Sequence, residues 1–243
     1  MTPTARPARQ RLAPEIRRRQ VLDAAVAVFS EQGFHGASMD DVAIRAGVSK
    51  PMVYAHGGSK DELFAACLHR EAERLLRSVE AAVSKEASDD TSDDPQTRLW
   101  LGLRAFFHAL TTRRAGWTVL YRQASTGEFA GEVDALRGRI VAQAAALMAE
   151  GLGMPQDAVR PYAHTLVGAA EGLADWWLSG GTPVTGDGED PAADVLARML
   201  MSAAWPGLDA LRSGRVWSPP QEQRDGTAPE RGIGSSPTVS PES

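Results

Sequence analysis

The chain has 243 residues, a formal net charge of −5 and a single cysteine, Cys67. This length can bury a core without covalent crosslinks, and one cysteine excludes an intramolecular disulfide and fits a reducing compartment. No stretch approaches the ~18 apolar residues of a membrane span, and the basic N-terminus lacks the apolar run of a secretory signal. We therefore expect a cytoplasmic protein that does not bind membranes.

The charge is unevenly distributed along the chain. Residues 1–60 contain nine Lys and Arg against five Asp and Glu, a net charge of +4, whereas the remainder carries 17 basic and 26 acidic side chains. A basic first quarter on an acidic body is typical of a protein that presents one end to a polyanion. A solvated basic arm would give the same distribution, so charge alone does not identify the partner.

The first two predicted elements are a flexible arm and a long helix. Residues 1–13 mix Pro, Arg, Ala and Thr without an apolar period, which predicts a flexible basic arm. From Ile16 to Phe29 apolar residues recur every three or four positions, and this spacing predicts an amphipathic helix. Gly33 is expected to end it.

Two short helices follow. Ser38 and Asp41 have the spacing of a capping box at the start of the first, and Gly47 is expected to end it. Ser49 is placed to cap the second, and Pro51 falls in its first turn, where a missing backbone N–H costs little.

A fourth helix has the clearest start in the chain, because Ser59 and Glu62 form a second capping-box pair directly before Leu63 and Phe64. Its helical period continues to Val83. The polar and acidic segment SKEASDDTSDD then interrupts the period, and we interpret it as a linker between domains.

The second half of the chain is also predicted to be helical. Helices are expected from Asp94-Pro95 to Leu110, from Phe129 to a stop at Gly151, from Tyr162 to a stop at Ser179-Gly180-Gly181, and from Asp190-Pro191 to Ala203, with a short apolar turn at Trp117, Leu120 and Tyr121. No segment has the period of a strand. Residues 213–243 are rich in Pro, Ser and Gly, which predicts a disordered tail.

Residues 38–57, SMDDVAIRAGVSKPMVYAHG, have the length and punctuation of a helix-turn-helix, whose second helix enters the major groove of DNA. With the preceding EQGF and the following GSKDELF, this segment resembles the TetR family of transcriptional regulators from about Glu15 to about Phe64. The resemblance implies an all-α protein: a three-helix DNA-binding domain over residues 14–75, then a helical-bundle effector-binding and dimerisation domain over residues 76–212.

The first turn of the second short helix is expected to face the bases. Lys50 can donate to guanine O6 and N7, and Pro51 and Met52 can contact thymine methyl groups. These three side chains would therefore set the sequence preference.

Other side chains are assigned to the DNA backbone. In similar proteins the residues at the positions of Tyr54, His56 and Lys60 donate to phosphates. The hydroxyls of Ser38 and Ser49, with the helix N-terminal N–H groups, are expected to assist them.

The chain departs from the family pattern at Gly57-Gly58, since the family usually has an aromatic residue at position 57 that packs in the core. The missing ring removes buried area worth about 1.5–3 kcal/mol. This departure puts DNA affinity in doubt. It motivates an alternative function, a helical ligand-binding or protein-binding module with weakened DNA binding.

The resemblance also implies a homodimer formed by the last two long helices. Gly168, Ala169 and Gly172 would let another helix approach closely, although packing inside one subunit explains them equally well. Further interface residues would be Trp177, Leu178, Leu196, Met199, Leu200 and Met201. A two-fold dimer predicts a palindromic operator, and repression is the family's usual mode.

The same resemblance implies an apolar cavity for a small-molecule effector. The candidate lining residues are Trp100, Phe107, Trp117, Tyr121, Met148 and Trp176, with His108, Gln143 and Glu171 as polar groups that could orient a ligand. Aromatic residues at helical spacing are also typical of an ordinary core. The abundance of Trp and Met favours an apolar or aromatic effector.

Nothing in the sequence indicates an enzyme. The five histidines, at positions 35, 56, 69, 108 and 164, lack the spacing of a helical metal pair, and no phosphate-binding loop or nucleophile elbow occurs. We therefore expect no cofactor and no metal, and a function in binding DNA and a small molecule.

Overall fold

In the computed structural model, residues 13–86, 94–119, 128–181 and 191–219 are described. These residues contain helices and no strand, as the sequence predicts. The helices are α1 (Pro14–Gly36), α2 (Met39–Ala46), α3 (Lys50–Gly57), α4 (Lys60–Glu86), α5 (Pro95–Thr112), α6 (Arg114–Trp117), α7 (Ala130–Leu152), α8 (Gln156–Leu178) and α9 (Pro191–Arg212). Among these residues, no helix is long and apolar enough to cross a membrane.

The predicted end of α1 at Gly33 is only partly correct. Gly33 has a φ of 76°, in the left-handed region that only glycine adopts without strain, and it interrupts the helical geometry. One further turn continues to Gly36. The kink leaves Phe34 packed against the buried ring of Phe64, with ring centroids 5.0 Å apart.

The local signals around the two short helices are confirmed in part. Ser38 Oγ accepts from the backbone N–H of Asp41, and the Asp41 carboxylate accepts from the backbone N–H of Ser38, which completes the capping box. Gly47 ends α2 with a φ of 64°. Ser49 occupies the position before α3, but its side chain makes no capping hydrogen bond, and Pro51 lies in the first turn as predicted.

Helix α4 joins the two halves of the fold. It begins with the expected capping box, since the Ser59 N–H donates to Glu62 Oε2 at 2.7 Å and the Glu62 N–H donates to Ser59 Oγ at 3.1 Å. Up to Ala72 its buried apolar residues belong to a core shared with α1, α2, α3 and the first half of α7, whereas Leu75 belongs to the core of the C-terminal bundle and Val79 packs against that core. The boundary between residues 75 and 76 stays a prediction.

The C-terminal bundle combines contacts between consecutive helices with an extensive contact between helices that are distant in sequence, α5 and α9. Helix α5 packs on α4 and α9, and α7 packs on α8. The predicted stop of α7 at Gly151 is wrong by two residues: the helix continues to Leu152, and Gly153 ends it with a φ of 63°. Gly151 instead lies against Pro95 of α5, 3.6 Å from the position that a Cβ would occupy.

Several sequence predictions fall outside the described residues. These are the arm up to residue 12, the middle of the linker at residues 87–93, Leu120 and Tyr121, Asp190, and the tail from residue 220 onward.

Candidate nucleic-acid interface and ligand cavities

Helix α3 presents one face to the core and the other to the outside. Val53 is fully buried and packs with the residues of α1 and α2 that hold the two short helices together. Lys50, Pro51 and Tyr54 are exposed, and Tyr54 keeps 48% of its surface accessible although Val53 beside it keeps none. Met52 is half-buried. A protruding helix with this division can enter a groove of DNA without disturbing its own core.

The predicted base-reading lysine is paired with a carboxylate. Lys50 Nζ lies 2.8 Å from Asp40 Oδ2, and this hydrogen bond raises the pKa of Lys50. Both side chains are about half exposed. A DNA base that accepts from Lys50 must compete with Asp40 for its protons.

Sequence reasoning missed Asp40 and Ile44. Ile44 lies one turn after Asp40 on α2 and is 80% exposed, which is unusual for a large aliphatic side chain. Its position off the buried stripe of α2 was a usable signal, because Val42, Ala43 and Ala46 are buried and Ile44 does not share their face.

The side chains assigned to phosphates lie in different surroundings. Lys60 Nζ lies 4.7 Å from the centre of the Phe34 ring and 3.4 Å from the carbonyl oxygen of His35, so the kink of α1 positions it. The Ser38 hydroxyl donates to Asp41 within the capping box. Ser49 is exposed and His56 is half-buried.

The two glycines at the end of α3 have a structural explanation. A Cβ at Gly57 would lie 2.8 Å from Leu63 Cδ1, so the fully buried Leu63 occupies the space into which a side chain at position 57 would extend. Gly58 has a φ of 73°, and a Cβ there would collide with the Glu62 carboxylate. The effect of these glycines on DNA affinity stays a prediction.

A group of ion pairs connects α1 to α4. The Arg70 guanidinium lies 2.9 Å from Asp23 Oδ1 and donates to the carbonyl oxygen of Leu22 at 3.1 Å. Arg70 and Arg74 both donate to Glu71 Oε1, at 3.1 and 2.8 Å. Glu71 keeps only 6% of its surface accessible. Helix α1 is therefore attached to α4 by hydrogen bonds and ion pairs as well as by apolar packing.

Two cavities lie beside α4 and α5. The first, the polar cavity, has a volume of about 430 Å³ and is bounded by α4, α5, α6 and the start of α9. Its polar lining residues are Glu71, Arg74, Ser78, Arg104, His108, Thr112, Arg113 and Asp194.

The second, the apolar cavity, has a volume of about 130 Å³ and lies between α4, α5, α7, α8 and α9. It is lined almost entirely by carbon, with walls that include Val79, Val83, Leu103, Phe106, Ile140, Ala144, Leu166 and Trp205. Leu75 lines both cavities.

The predicted effector residues are not brought together in one pocket. Gln143 and Met148 line the apolar cavity, whereas His108 and Trp117 line the polar cavity. Phe107 is fully buried in the bundle core and lines neither cavity.

The remaining predicted pocket residues lie elsewhere. Trp100 is half-buried and Trp176 is 44% exposed, and neither lines a cavity. Glu171 pairs with Arg137 at 2.8 Å. Tyr121 lies outside the described residues.

The residues proposed for the dimer interface also separate into two groups. Leu196, Leu200 and Met201 are buried in the core of their own subunit. Met199 is 45% exposed, and the Trp177 ring lies under the Arg114 guanidinium at 4.2 Å.

Both halves of the chain match known families. The family model described as "Bacterial regulatory proteins, tetR family" matches residues 21–67, and the one described as "Tetracyclin repressor-like, C-terminal domain" matches residues 95–207.

Individual proteins are similar to this chain over most of its length or over a part of it. The HTH-type transcriptional activator FasR of Mycolicibacterium smegmatis is 31% identical over 200 residues, which are 82% of this chain and 85% of that protein. The HTH-type transcriptional repressor SCO4008 of Streptomyces coelicolor is 39% identical over 66 residues, 27% of this chain and 34% of that protein. The crystal structure of a TetR-like transcriptional regulator from Rhodococcus sp. RHA1 has a TM-score of 0.63 at 38% identity and covers 82% of this chain and 99% of that one.

Proposed function

Because this chain belongs to the TetR family of DNA-binding transcriptional regulators, we propose that two copies of it bind a palindromic operator and are released by an apolar or aromatic effector. The observation that carries the DNA-binding part is the division of α3 into a buried anchor, Val53, and an exposed face that includes Tyr54.

The exposed first turn of α3 is the base-reading element of this proposal. Lys50, Pro51 and Met52 lie at the start of a helix whose opposite side is fixed in the core, and such N-terminal residues reach the base edges in known complexes of this type. Lys50 donates to a guanine after it leaves Asp40. The sequence preference then depends on this one side chain more than on any other.

The phosphate contacts flank this turn. Tyr54 is exposed one turn after Lys50, and Lys60 is held beside the ring of Phe34. Ser49 and the backbone N–H groups at the start of α3 add hydrogen bonds to the DNA phosphates. His56 and Ser38 are proposed to contact the DNA backbone at the margins of this surface. These contacts position the helix and carry no sequence information.

The exposed face of α8 is the proposed dimer interface. Tyr162, Ala169 and Trp176 recur every seven residues and are all exposed, with Gly172 between them. On α9, Met199 is 45% exposed. Large and small residues that alternate along one helix face can interlock with the same face of a second copy, and a two-fold arrangement places two α3 helices about one DNA turn apart.

The apolar cavity is the proposed binding site of the effector. Its lining is almost free of polar atoms, and Gln143, one of its lining residues, carries an amide that can orient a ligand. The helix α4 carries Val79 and Val83 in the cavity wall and Leu63 and Phe64 in the core below α3. A ligand that enlarges the cavity displaces α4 and with it the spacing of the two α3 helices, with a coupling of roughly 1–3 kcal/mol.

The sign of regulation depends on where the operator lies. The relatives include a protein named as an activator and one named as a repressor. We propose repression, through an operator that overlaps the promoter. A reporter fused to that promoter should be more active when the gene for this protein is deleted.

The experiment that tests DNA recognition compares three variants by fluorescence anisotropy on duplexes from beside the protein's own gene. Tyr54→Phe should weaken binding to every duplex by roughly tenfold over two subunits, because each subunit then makes one phosphate hydrogen bond fewer. Lys60→Ala should also weaken all duplexes and lower the slope of log affinity against log salt by about one for each lysine–phosphate pair removed. Lys50→Ala should change the order of preference among duplexes.

A control variant separates these effects from folding. Arg160→Gln removes an exposed charge from α8, far along the chain from α3, and should leave DNA affinity unchanged. If Tyr54→Phe and Lys60→Ala bind DNA as well as the parent protein in a folded dimer, the assigned roles are wrong.

A further inference from the structure

The polar cavity contains an arrangement of charges that the DNA-binding function does not use. Its lining includes three guanidinium groups, from Arg74, Arg104 and Arg113, and two carboxylates, from Glu71 and Asp194. A cavity of about 430 Å³ is large enough for a small organic molecule.

Both carboxylates are already engaged by arginines. Asp194 Oδ1 accepts from Arg104 Nε at 2.7 Å, which joins α5 to the start of α9. Glu71 Oε1 accepts from Arg70 and Arg74. Because each carboxylate has its charge balanced at short range, neither is well placed to select a cationic ligand.

Arg113 is placed differently. Its Nη1 lies 3.9 Å from Glu71 Oε2, which is within Coulombic range but too long for a hydrogen bond. Its side chain is 53% exposed, and it borders the cavity beside Gly116 and Trp117. A guanidinium has five N–H donors in a fixed plane and binds carboxylates and phosphates in a bidentate manner.

The lining also contains apolar side chains, which include Leu75, Leu101, Leu110 and the ring of Trp117. A ligand that matches both the guanidinium groups and these apolar side chains has an anionic group attached to a hydrocarbon or aromatic body.

We propose that the polar cavity binds a small aromatic or hydrocarbon anion, whose carboxylate or phosphate is held by Arg113 with Arg104. This site is separate from the apolar cavity. The binding of the anion is independent of the proposed function, and only the role of the anion as an effector rests on it. Arg74, which lines the same cavity, lies 3.6 Å from Asp23 of α1, so an anion bound there lies next to the ion pairs that attach the DNA-binding half.

The test uses four probes with the same ring and different charge: benzoate, phenyl phosphate, benzylamine and benzyl alcohol. Binding to the full chain is measured by isothermal titration calorimetry without DNA. At least one anion should bind roughly tenfold or more tightly than the alcohol and the amine, which is the size expected for a charge-assisted bidentate contact. The two anions distinguish a carboxylate site from a phosphate site.

Two variants locate the site. Arg113→Gln should reduce anion affinity by roughly tenfold and Arg104→Gln should also reduce it, whereas Arg160→Gln on α8 should leave it unchanged. Circular dichroism confirms that each variant is folded. Since Arg113 is not among the proposed DNA contacts, Arg113→Gln should bind the operator as the parent does.

Four results would overturn the proposal: tightest binding of benzylamine, binding of benzyl alcohol as tight as that of both anions, no binding of either anion, or anion affinity that Arg113→Gln does not change. None of them bears on DNA recognition. Conversely, if the protein binds an anion but shows no preference for any DNA duplex, the anion site is supported and the proposed function is refuted.

Discussion

The variant Phe107→Ala tests whether Phe107 stabilises the core or contacts the effector. Phe107 has no accessible surface, packs edge-on against Phe106 with centroids 5.0 Å apart, and lines neither cavity. Removing a fully buried ring costs about 3–5 kcal/mol, and each kcal/mol lowers the melting temperature of a domain of this size by about 2–4 °C. We therefore expect a fall of about 6–20 °C.

The assay is thermal and urea denaturation followed by circular dichroism, at one protein concentration because a dimer's stability depends on it. Trp217→Ala is the matched control, since that ring is 81% exposed and belongs to none of the proposed DNA, dimer or cavity surfaces, and we expect a much smaller change in the free energy of unfolding. If Phe107→Ala is as stable as the parent but no longer responds to effector, Phe107 is a ligand contact and the core assignment is wrong.

Three further predictions follow from the surface and the cavities. Asp40→Asn should raise DNA affinity about two- to fivefold at low salt, because Lys50 no longer has to leave a carboxylate; unchanged affinity in anisotropy titrations would contradict this. Ala144→Leu should fill the apolar cavity and abolish the response to an apolar effector while operator affinity in the same titrations stays within about twofold. The Ser59 N–H lowers the pKa of Glu62, so this carboxylate stabilises the fold above its unfolded pKa of ~4.3 and the contribution is lost as the pH falls through the lower folded value. Glu62→Gln should therefore flatten the acid side of a plot of urea midpoint against pH, and an unchanged slope would count against the capping box.

The DNA-binding half of the fold could be predicted in detail from the sequence because its signals are local. The capping boxes at Ser38 and Ser59 each need residues only three positions apart, and both form as predicted. Gly47 ends α2 for an equally local reason, its left-handed backbone. Where two glycines compete, as at Gly151 and Gly153, spacing alone does not say which one adopts the left-handed conformation.

The cavities could not be predicted in the same way. Phe107 and His108 are neighbours in sequence, yet one is in the core and the other lines the polar cavity, because adjacent residues on a helix point about 100° apart. Which face becomes a cavity depends on how α5 packs on α4 and α9, and that packing joins residues far apart in the chain, such as Arg104 and Asp194, which are 90 positions apart. The periodicity of apolar residues identifies the buried face of a helix but does not show whether that face packs in a filled core or lines a cavity.

The central claim is that α3 recognises a specific DNA sequence, and selection from a random pool of duplexes tests it most directly. The purified chain, at low ionic strength and without effector, should enrich a palindrome whose half-sites lie about one helical turn apart, and Lys50→Ala should enrich a different one. A folded protein that enriches no sequence over the starting pool would contradict the claim.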